Sequence, residues 1–352
     1  MKNLILLLTL LLPLNALATP DPIPDRQRGE GPFERLILRG VIIVNGEGAP
    51  PAGPADVLIE GNRISQIRTL GIFEPAPEDA RIPAMPGDRV LQLDGHYLLP
   101  GFIDMHAHFG GDEQGVSAEY VAKLWLGHGI TTIREPGSFN GLGWVLAHQV
   151  RSAKNEIAAP RIIPYVGFGQ GRDGPILTEE DTRAWVRKIA KQGASGIKFV
   201  GATANIMRAA LDEAGKQYLG SMMHHAQLDV VNWNVLDSAR AGLTSMEHWY
   251  GLPEAMFTDK VIQHYPSDYN YTNEQHRFGQ AGRLWAQAAK PGSQKWNQVR
   301  DELIGLNFTI NPTLTIYEAS RDLMREMNAD WHREYTPPAL WQFFQPSLIS
   351  HG

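Results

Sequence analysis

LLPGFIDMHAHFGG, residues 98–111, places His106 and His108 directly behind a short apolar run. If that run is a buried strand, residues two apart point to one face. Two imidazoles so placed can converge on one ion, at about 2.0 to 2.1 Å for zinc. If it opens a loop, they are two polar residues. An isolated His-x-His pair is common by chance, so the rest of the chain has to decide.

Downstream of residue 98, short apolar runs alternate with amphipathic stretches. Strands are predicted at Gly101–His106, Ile130–Glu135, Arg161–Val166, Ser195–Val200, Gly220–His225, Leu243–His248 and Phe308–Leu314. Between the third and fourth, Thr178 is suited to cap a helix with an acidic first turn (Glu179, Glu180, Asp181) that ends at Gly193. Repeated βα units predict parallel strands, and the economical closed arrangement for seven or eight of them is an α/β fold of the (β/α) TIM-like barrel type. The stretch Tyr250 to Gln298, rich in Asn, Gln, Tyr and His, breaks the rhythm and is expected to lie as a loop over the barrel mouth.

Upstream, LILRGVIIVNGEG and ADVLIEGNRISQI read as short strands and tight turns, which predicts part of a small β-sandwich domain over residues 33–98. The barrel is then assigned residues 99–352, and 19–32 form a Pro- and Gly-rich linker. Residues 1–18 carry Lys2, an apolar core from Leu4 to Leu14, and small residues at Ala16 and Ala18. That pattern predicts a signal peptide and a secreted or periplasmic protein. The apolar run is short for about 30 Å of hydrocarbon, so no stable membrane anchor is expected.

The 352 residues, 43% of them hydrophobic, suffice for a large core, and a formal charge of -6 without any long basic run argues against nucleic acid as a partner. With no cysteine in the chain, any metal must be held by histidine, carboxylate or a less usual group. In a (β/α) barrel such groups belong at the C-terminal ends of the strands. Five of the 12 histidines are there: His106 and His108 after the first strand, His224 and His225 after the fifth, His248 after the sixth beside Glu247. Lys198 lies on the fourth. As an ammonium it has no lone pair and repels cations; as a carbamate, formed with carbon dioxide, it offers two oxygens able to bridge metals about 3.5 to 4 Å apart. Pairing with a carboxylate or a substrate anion is the plainer alternative for it. Arg134 and Glu135, ending the second strand, suit substrate contact or packing against carboxylates at the mouth. Trp249, Tyr250 and Tyr317 suit a pocket wall or packing.

Taken in order, LPGFIDMHAH, GITTIREPGS, GASGIKFV, HHAQ and GLTSMEHWYG resemble the strand motifs of the amidohydrolase superfamily of metal-dependent hydrolases. The leading ADVLIEGNRISQI is similar to its small β domain. The resemblance implies two divalent cations, zinc being favoured. His106 and His108 would bind the first, His248 the second, and carboxylated Lys198 would bridge them, with Lys198 and His248 in the catalytic set. Adjacent residues of a strand face opposite ways, so only one of His224 and His225 can reach the centre. The family's His-Ala-polar pattern points to His225, since HAQ begins there. GIKFV is similar to the branch that holds imidazolonepropionase-like proteins and proline dipeptidases. The implied activity is hydrolysis of a C-N bond in an amide, cyclic amide or dipeptide by attack of metal-bound hydroxide; a homo-oligomer is compatible with it.

One part of that pattern is missing. The superfamily places an aspartate after strand eight, where it takes the proton from the attacking water. Here FTINPTL reads as strand seven, and Asp322 and Asp330 fall inside a helical pattern. A barrel lacking strand eight is therefore expected, from a C-terminally truncated chain. Two alternatives accompany the hydrolase: a catalytically incompetent metal- or ligand-binding fragment, and a lactonase or phosphoesterase using the same site.

Overall fold

The computed structural model describes residues 21–71, 77–110, 115–227 and 229–345, so the proposed signal peptide at 1–18 lies outside the described residues. Strands β1 (Arg35–Ile43), β2 (Ala52–Glu60) and β3 (Arg63–Thr69) form an antiparallel meander. Gly61, at φ 58°, opens the two-residue turn between β2 and β3, a position whose positive φ favours glycine. Two further strands, β4 (Arg89–Gln92) and β5 (Tyr97–Leu98), pair in parallel with β1 and complete a five-stranded sheet. Its polar anchor is Asp56, fully buried, which accepts from the Gly40 and Ile82 amides and from Arg81 at 3.1 to 3.2 Å.

The second sheet is made of β6 (Phe102–Asp104), β7 (Ile130–Pro136), β8 (Arg161–Gly167), β9 (Gly196–Phe199), β10 (Gly220–His224), β11 (Ser245–Glu247) and β12 (Thr309–Asn311). All neighbours are parallel and the spatial order is the sequence order. Helices α1 (Ala118–Gly127), α2 (Leu142–Ala153), α3 (Glu179–Gln192), α4 (Ala204–Lys216) and α5 (Val235–Arg240) each connect two successive strands, which is the (β/α) TIM-like barrel architecture. Seven strands are present, with no eighth among the described residues.

The local chemistry is the expected one at α3. Thr178 accepts from the Asp181 amide, the first turn is acidic, and Gly193 ends the helix in a left-handed conformation at φ 101°. Its apolar face (Trp185, Val186, Ile189) packs with Ile197 and Phe199 of β9 and Met207 of α4 in the largest buried cluster. The segment over the mouth is more ordered than a loop: it holds α6 (Leu252–Ala255) and α7 (Glu274–Gln287), and its last residues begin α8 (Gln294–Gly305). Asn273 supplies the cap of α7, accepting from the His276 amide at 2.9 Å. After β12 come four short helices, α9 (Leu314–Arg321), α10 (Leu323–Met327), α11 (His332–Tyr335) and α12 (Pro338–Phe343). Asp322 and Asp330 sit at junctions between them, off the sheet. The linker stretch is packed rather than loose around Ile23, which is 1% exposed and donates its amide to His148 of α2. No helix among the described residues is long and apolar enough to cross a membrane.

Paired residues of a parallel sheet share a face, so register reveals what lines the interior. Arg134 pairs with Ile163, Tyr165 with Gly196, Lys198 with Met222, Met222 with Ser245, and His224 and Asn311 both with Glu247. The bulky Tyr165 ring lies across β9 and β10, where a Cβ on Gly196 or Gly220 would collide with it. Above it, Glu247 gathers donors from both margins of the sheet. One oxygen accepts from Arg134 of β7 at 2.7 Å and from Ser245 at 2.9 Å; the other accepts from His106, just past β6, at 2.8 Å and from Asn311 of β12 at 2.7 Å.

Removing the Glu247 carboxylate leaves a buried guanidinium and imidazole without an acceptor. Glu247→Ala is expected to lower the unfolding free energy by about 3 to 5 kcal/mol, and Glu247→Gln, which still accepts on one oxygen, by less. Urea unfolding of the three proteins measures this. Equal midpoints would show that the carboxylate does not hold the curl of the sheet.

Candidate active site

Chain geometry delivers four imidazoles and an amine to one place. β6 stops at Asp104, two residues short of the expected end, and the Asp104 side chain accepts from the His106 amide at 2.9 Å as the chain turns. His106 and His108 therefore leave from a bend past the strand, with ring centroids 5.3 Å apart. His248 lies 5.1 Å from His106 and 4.8 Å from His224, centroid to centroid. Lys198 of β9 brings its Nζ to 3.4 Å from His106 Nε2.

His225 is not in this group, which corrects the assignment of the strand-five position. Its ring is wholly buried on the opposite face of β10, with Nε2 2.7 Å from the Ser238 hydroxyl of α5. Register gives the reason: Lys198 pairs with Met222, so Met222 and His224 face the interior while Met223 and His225 face the helices. Burial holds His225 down at about 3, a neutral core histidine.

Glu247 and His248 are adjacent, and yet both face the centre. His248 has a φ of 62°, a left-handed conformation uncommon outside glycine, which breaks the alternation at the end of β11. Two bonds hold it there: its amide donates to Asn311 O at 2.9 Å, and its Nδ1 lies 2.6 Å from the hydroxyl of Thr313, itself left-handed at φ 49°.

The Nδ1 atoms of the three rings are each engaged from behind: His106 by Glu247 at 2.8 Å, His108 by Glu135 at 3.2 Å, and His248 by Thr313. Glu135 also accepts from the Phe109 amide. A carboxylate at Nδ1 favours the proton there and leaves the lone pair on Nε2, the arrangement that outer partners impose on metal-binding histidines. Burial pushes His106 down to about 4 against the pull of Glu247, with Lys198 and His108 adding to the fall. His224 and His248 are also held well below the ordinary range, by burial first and then by neighbouring positive groups. Burial brings Lys198 down to about 8. Glu247 stays below the ordinary carboxylate range because His106, Arg134 and Lys198 outweigh its burial. His106, His224 and His248 are thus neutral imidazoles beside an easily deprotonated amine.

The donor set fits a divalent cation chemically, being imidazole nitrogen, with three of the rings, His106, His108 and His248, held from behind. Among the described residues, however, no three of these side chains already stand in a geometry that would hold a metal ion. Lys198 is directed at the Nε2 of His106, where it meets the lone pair as a donor.

Other residues complete the surroundings. Arg134, read from sequence as a substrate contact or a packing residue, does the second: besides Glu247 it donates to Met105 O at 2.7 Å and lies over the Tyr165 ring. Tyr250 is buried 5.6 Å from the His224 ring, and Tyr317 stands 6.4 Å from that of His248. Sequence reasoning named Glu247 without a role and missed Thr313 and Asn311. The Glu-His pair at a strand end was the available signal for the first; the others take part only through long-range contacts.

The family model described as the amidohydrolase family matches residues 97–275, which is half of the chain. The chain is 26% identical over 189 residues to a dihydroorotase of Staphylococcus aureus, covering 52% of this chain and 40% of that protein. A dihydroorotase of Bacillus licheniformis is 26% identical over 133 residues, covering 35% of this chain and 27% of the other. The chain thus spans less than half the length of these curated relatives. Among solved structures, a Xaa-Pro dipeptidase with bound methionine in its active site superposes with a TM-score of 0.53 at 18% identity, over 88% of this chain and 72% of that one, a likeness of fold. On the family match, with strand-end histidines brought together on a parallel (β/α) sheet, the chain belongs to the amidohydrolase family.

Proposed function

We propose that the cluster is the centre of a metal-dependent hydrolase that cleaves a C-N bond of an amide, cyclic amide or dipeptide in a small molecule. The observation that carries this is the convergence of His106, His108, His224 and His248 from three strand ends, with the Lys198 amine 3.4 Å from His106 Nε2. Those four imidazoles, with Lys198 as a carbamate, would hold two divalent cations; zinc suits nitrogen and carboxylate-like oxygen donors. When bound, such cations lower the pKa of water toward about 7 and polarise a carbonyl oxygen.

The chain's own residues prepare for that. Glu247 and Glu135 hold His106 and His108 by Nδ1, so that neither ring need reorient to offer Nε2. Lys198, deprotonated with little cost, attacks carbon dioxide through its amine nitrogen; a C-N bond forms, a proton leaves, and the cationic donor becomes a two-oxygen acceptor. Thr313 fixes the His248 ring from behind. The leader pattern at 1–18 supports a secreted or periplasmic location.

A second reading, metal or ligand binding without turnover, is favoured by one observation. Asp322 and Asp330 lie in the helical tail, and no strand-eight aspartate stands at the cluster among the described residues.

His106→Ala, His224→Ala and His248→Ala are each expected to weaken metal binding by more than about tenfold. His225→Ala should leave metal content intact and lower stability. Elemental analysis after dialysis against zinc, with thermal melts, separates the two groups; full metal content in a cluster variant removes that residue from the set. Lys198→Ala is expected to abolish hydrolysis across a panel of small amides, lactams and dipeptides, with partial recovery on adding acetate or propionate. Undiminished activity in that variant would exclude the carbamate.

A further inference from the structure

The bend that carries His106 and His108 has a support outside the barrel proper. β6 is a margin of the sheet, and the stretch past it is fastened to β7 by the Ala107 amide on Arg134 O at 3.2 Å and the Phe109 amide on Glu135 at 2.8 Å. While His106 and His108 turn to the centre, Ala107 and Phe109 are buried behind them. There they belong to one apolar group with Ile133 of β7, Ala122 of α1 and Val145 of α2, and with Ile23, which comes from far upstream. Phe109 also meets Trp125 of α1 and Trp144 of α2 edge-on, at 4.9 and 5.3 Å. Residues 21–26 lie along α2 as a strap. The Ile23 amide donates to His148 Nε2 at 2.9 Å and its carbonyl accepts from Arg151 at 2.6 Å; Asp25 pairs with the same guanidinium at 2.7 Å, and the Arg26 amide donates to Glu156 O at 2.7 Å. His148 is the latch: Nε2 accepts from the strap, Nδ1 lies 2.8 Å from Trp144 O, and the ring stacks on Trp144 at 3.8 Å.

We propose that this strap positions the His106–His108 bend for cation binding, with Ile23 and His148 as positioning residues. The proposal deepens the hydrolase reading and rests on it for the identity of what the bend holds. A ring that accepts at one nitrogen and donates at the other is neutral and has a single orientation, so His148 fixes both the strap above it and the Trp144 ring beneath it. Burial and the neighbouring Arg151 agree with that state, holding His148 below its ordinary range. From Trp144 the contact passes to Phe109, the residue next to His108. A bend past a marginal strand has little ladder pairing to hold it, so its two imidazoles keep their places through the packing of Ala107 and Phe109. Close-packed groups transmit small displacements, and ligand sets tolerate about 0.5 Å before affinity falls. Ile23 is the strap's contribution to that packing.

The test follows two quantities in the full chain: zinc affinity, by competition with a chromogenic chelator, and amide hydrogen exchange of the metal-free protein over residues 105–109. Ile23→Ala and His148→Ala are each expected to weaken zinc binding by about tenfold and to speed that exchange. His148→Gln, whose side chain can accept from the Ile23 amide and donate to Trp144 O, should recover most of both. Ile189→Ala, which opens a cavity in the separate buried group of α3, is the control: it lowers the melting temperature and leaves zinc affinity and exchange at 105–109 at the parent values. Where Ile23→Ala does not fold, Ile23→Val gives the same changes at smaller size. Parent values of both quantities in the Ile23 and His148 variants, or equal losses in Ile189→Ala, overturn the proposal. Faster exchange at 105–109 in the strap variants of a chain that binds no zinc refutes the metal reading and leaves the strap standing. Zinc bound with equal affinity by the parent and the strap variants does the reverse.

Discussion

The Glu247 carboxylate is the constraint on which the rest of the barrel depends. It takes two donors on each oxygen, which saturates its lone pairs, and the donors come from β7, β11, β12 and the bend after β6. β6 and β12 are the two ends of the seven-stranded sheet. An open parallel sheet exposes backbone at both margins, and its curl needs something besides ladder hydrogen bonds to hold it. Here a polar node reaches across the interior. A half-satisfied node of this kind would weaken the fold, whereas a complete one fixes the arrangement of four strands at once.

The same node determines the chemical state of the cluster. Because Glu247 is ionised and fully engaged, it orients His106 without a charged ring having to be buried. Burial keeps His106, His224 and His248 neutral, and neutral imidazole is the form with a lone pair to offer. Strain enters at His248 and at Thr313 beside it. The left-handed backbone of His248 costs of order 1 kcal/mol or more, offset by bonds to Asn311 and Thr313. What it accomplishes is specific: strand alternation would send Glu247 and His248 to opposite faces, and the positive φ turns both inward.

The seven strands of the barrel were legible from short apolar runs, each followed by helical periodicity, even at β6 and β12, whose residues are exposed or half-buried. Capping at Thr178 and Gly193 was legible because it is local. The choice between His224 and His225 was not, because it turns on parity relative to a neighbouring strand. Lys198 opposite Met222 decides it, and no single strand carries that information. Expecting a loop over the mouth failed for a related reason: α7 is polar along most of its length, and its order comes from Asn273 at its start and from Tyr250 and Tyr317 beneath it.

Closing the barrel and assembling the site are therefore one problem here. In a sheet with seven strands, the positions past β6 and along β12 are the least constrained by pairing, and those positions supply His106, His108 and Asn311. A site built there would be loose if each side chain were held only by its own strand. It is instead tied across the opening, His106 to Glu247 and Glu247 to Asn311, so the distance between the two margins is set by a carboxylate rather than by a missing ladder. Any change that widens the opening must lengthen one of those bonds first. The integrity of the imidazole cluster and the curvature of the sheet then fall together, and they fall through a residue that touches every strand concerned.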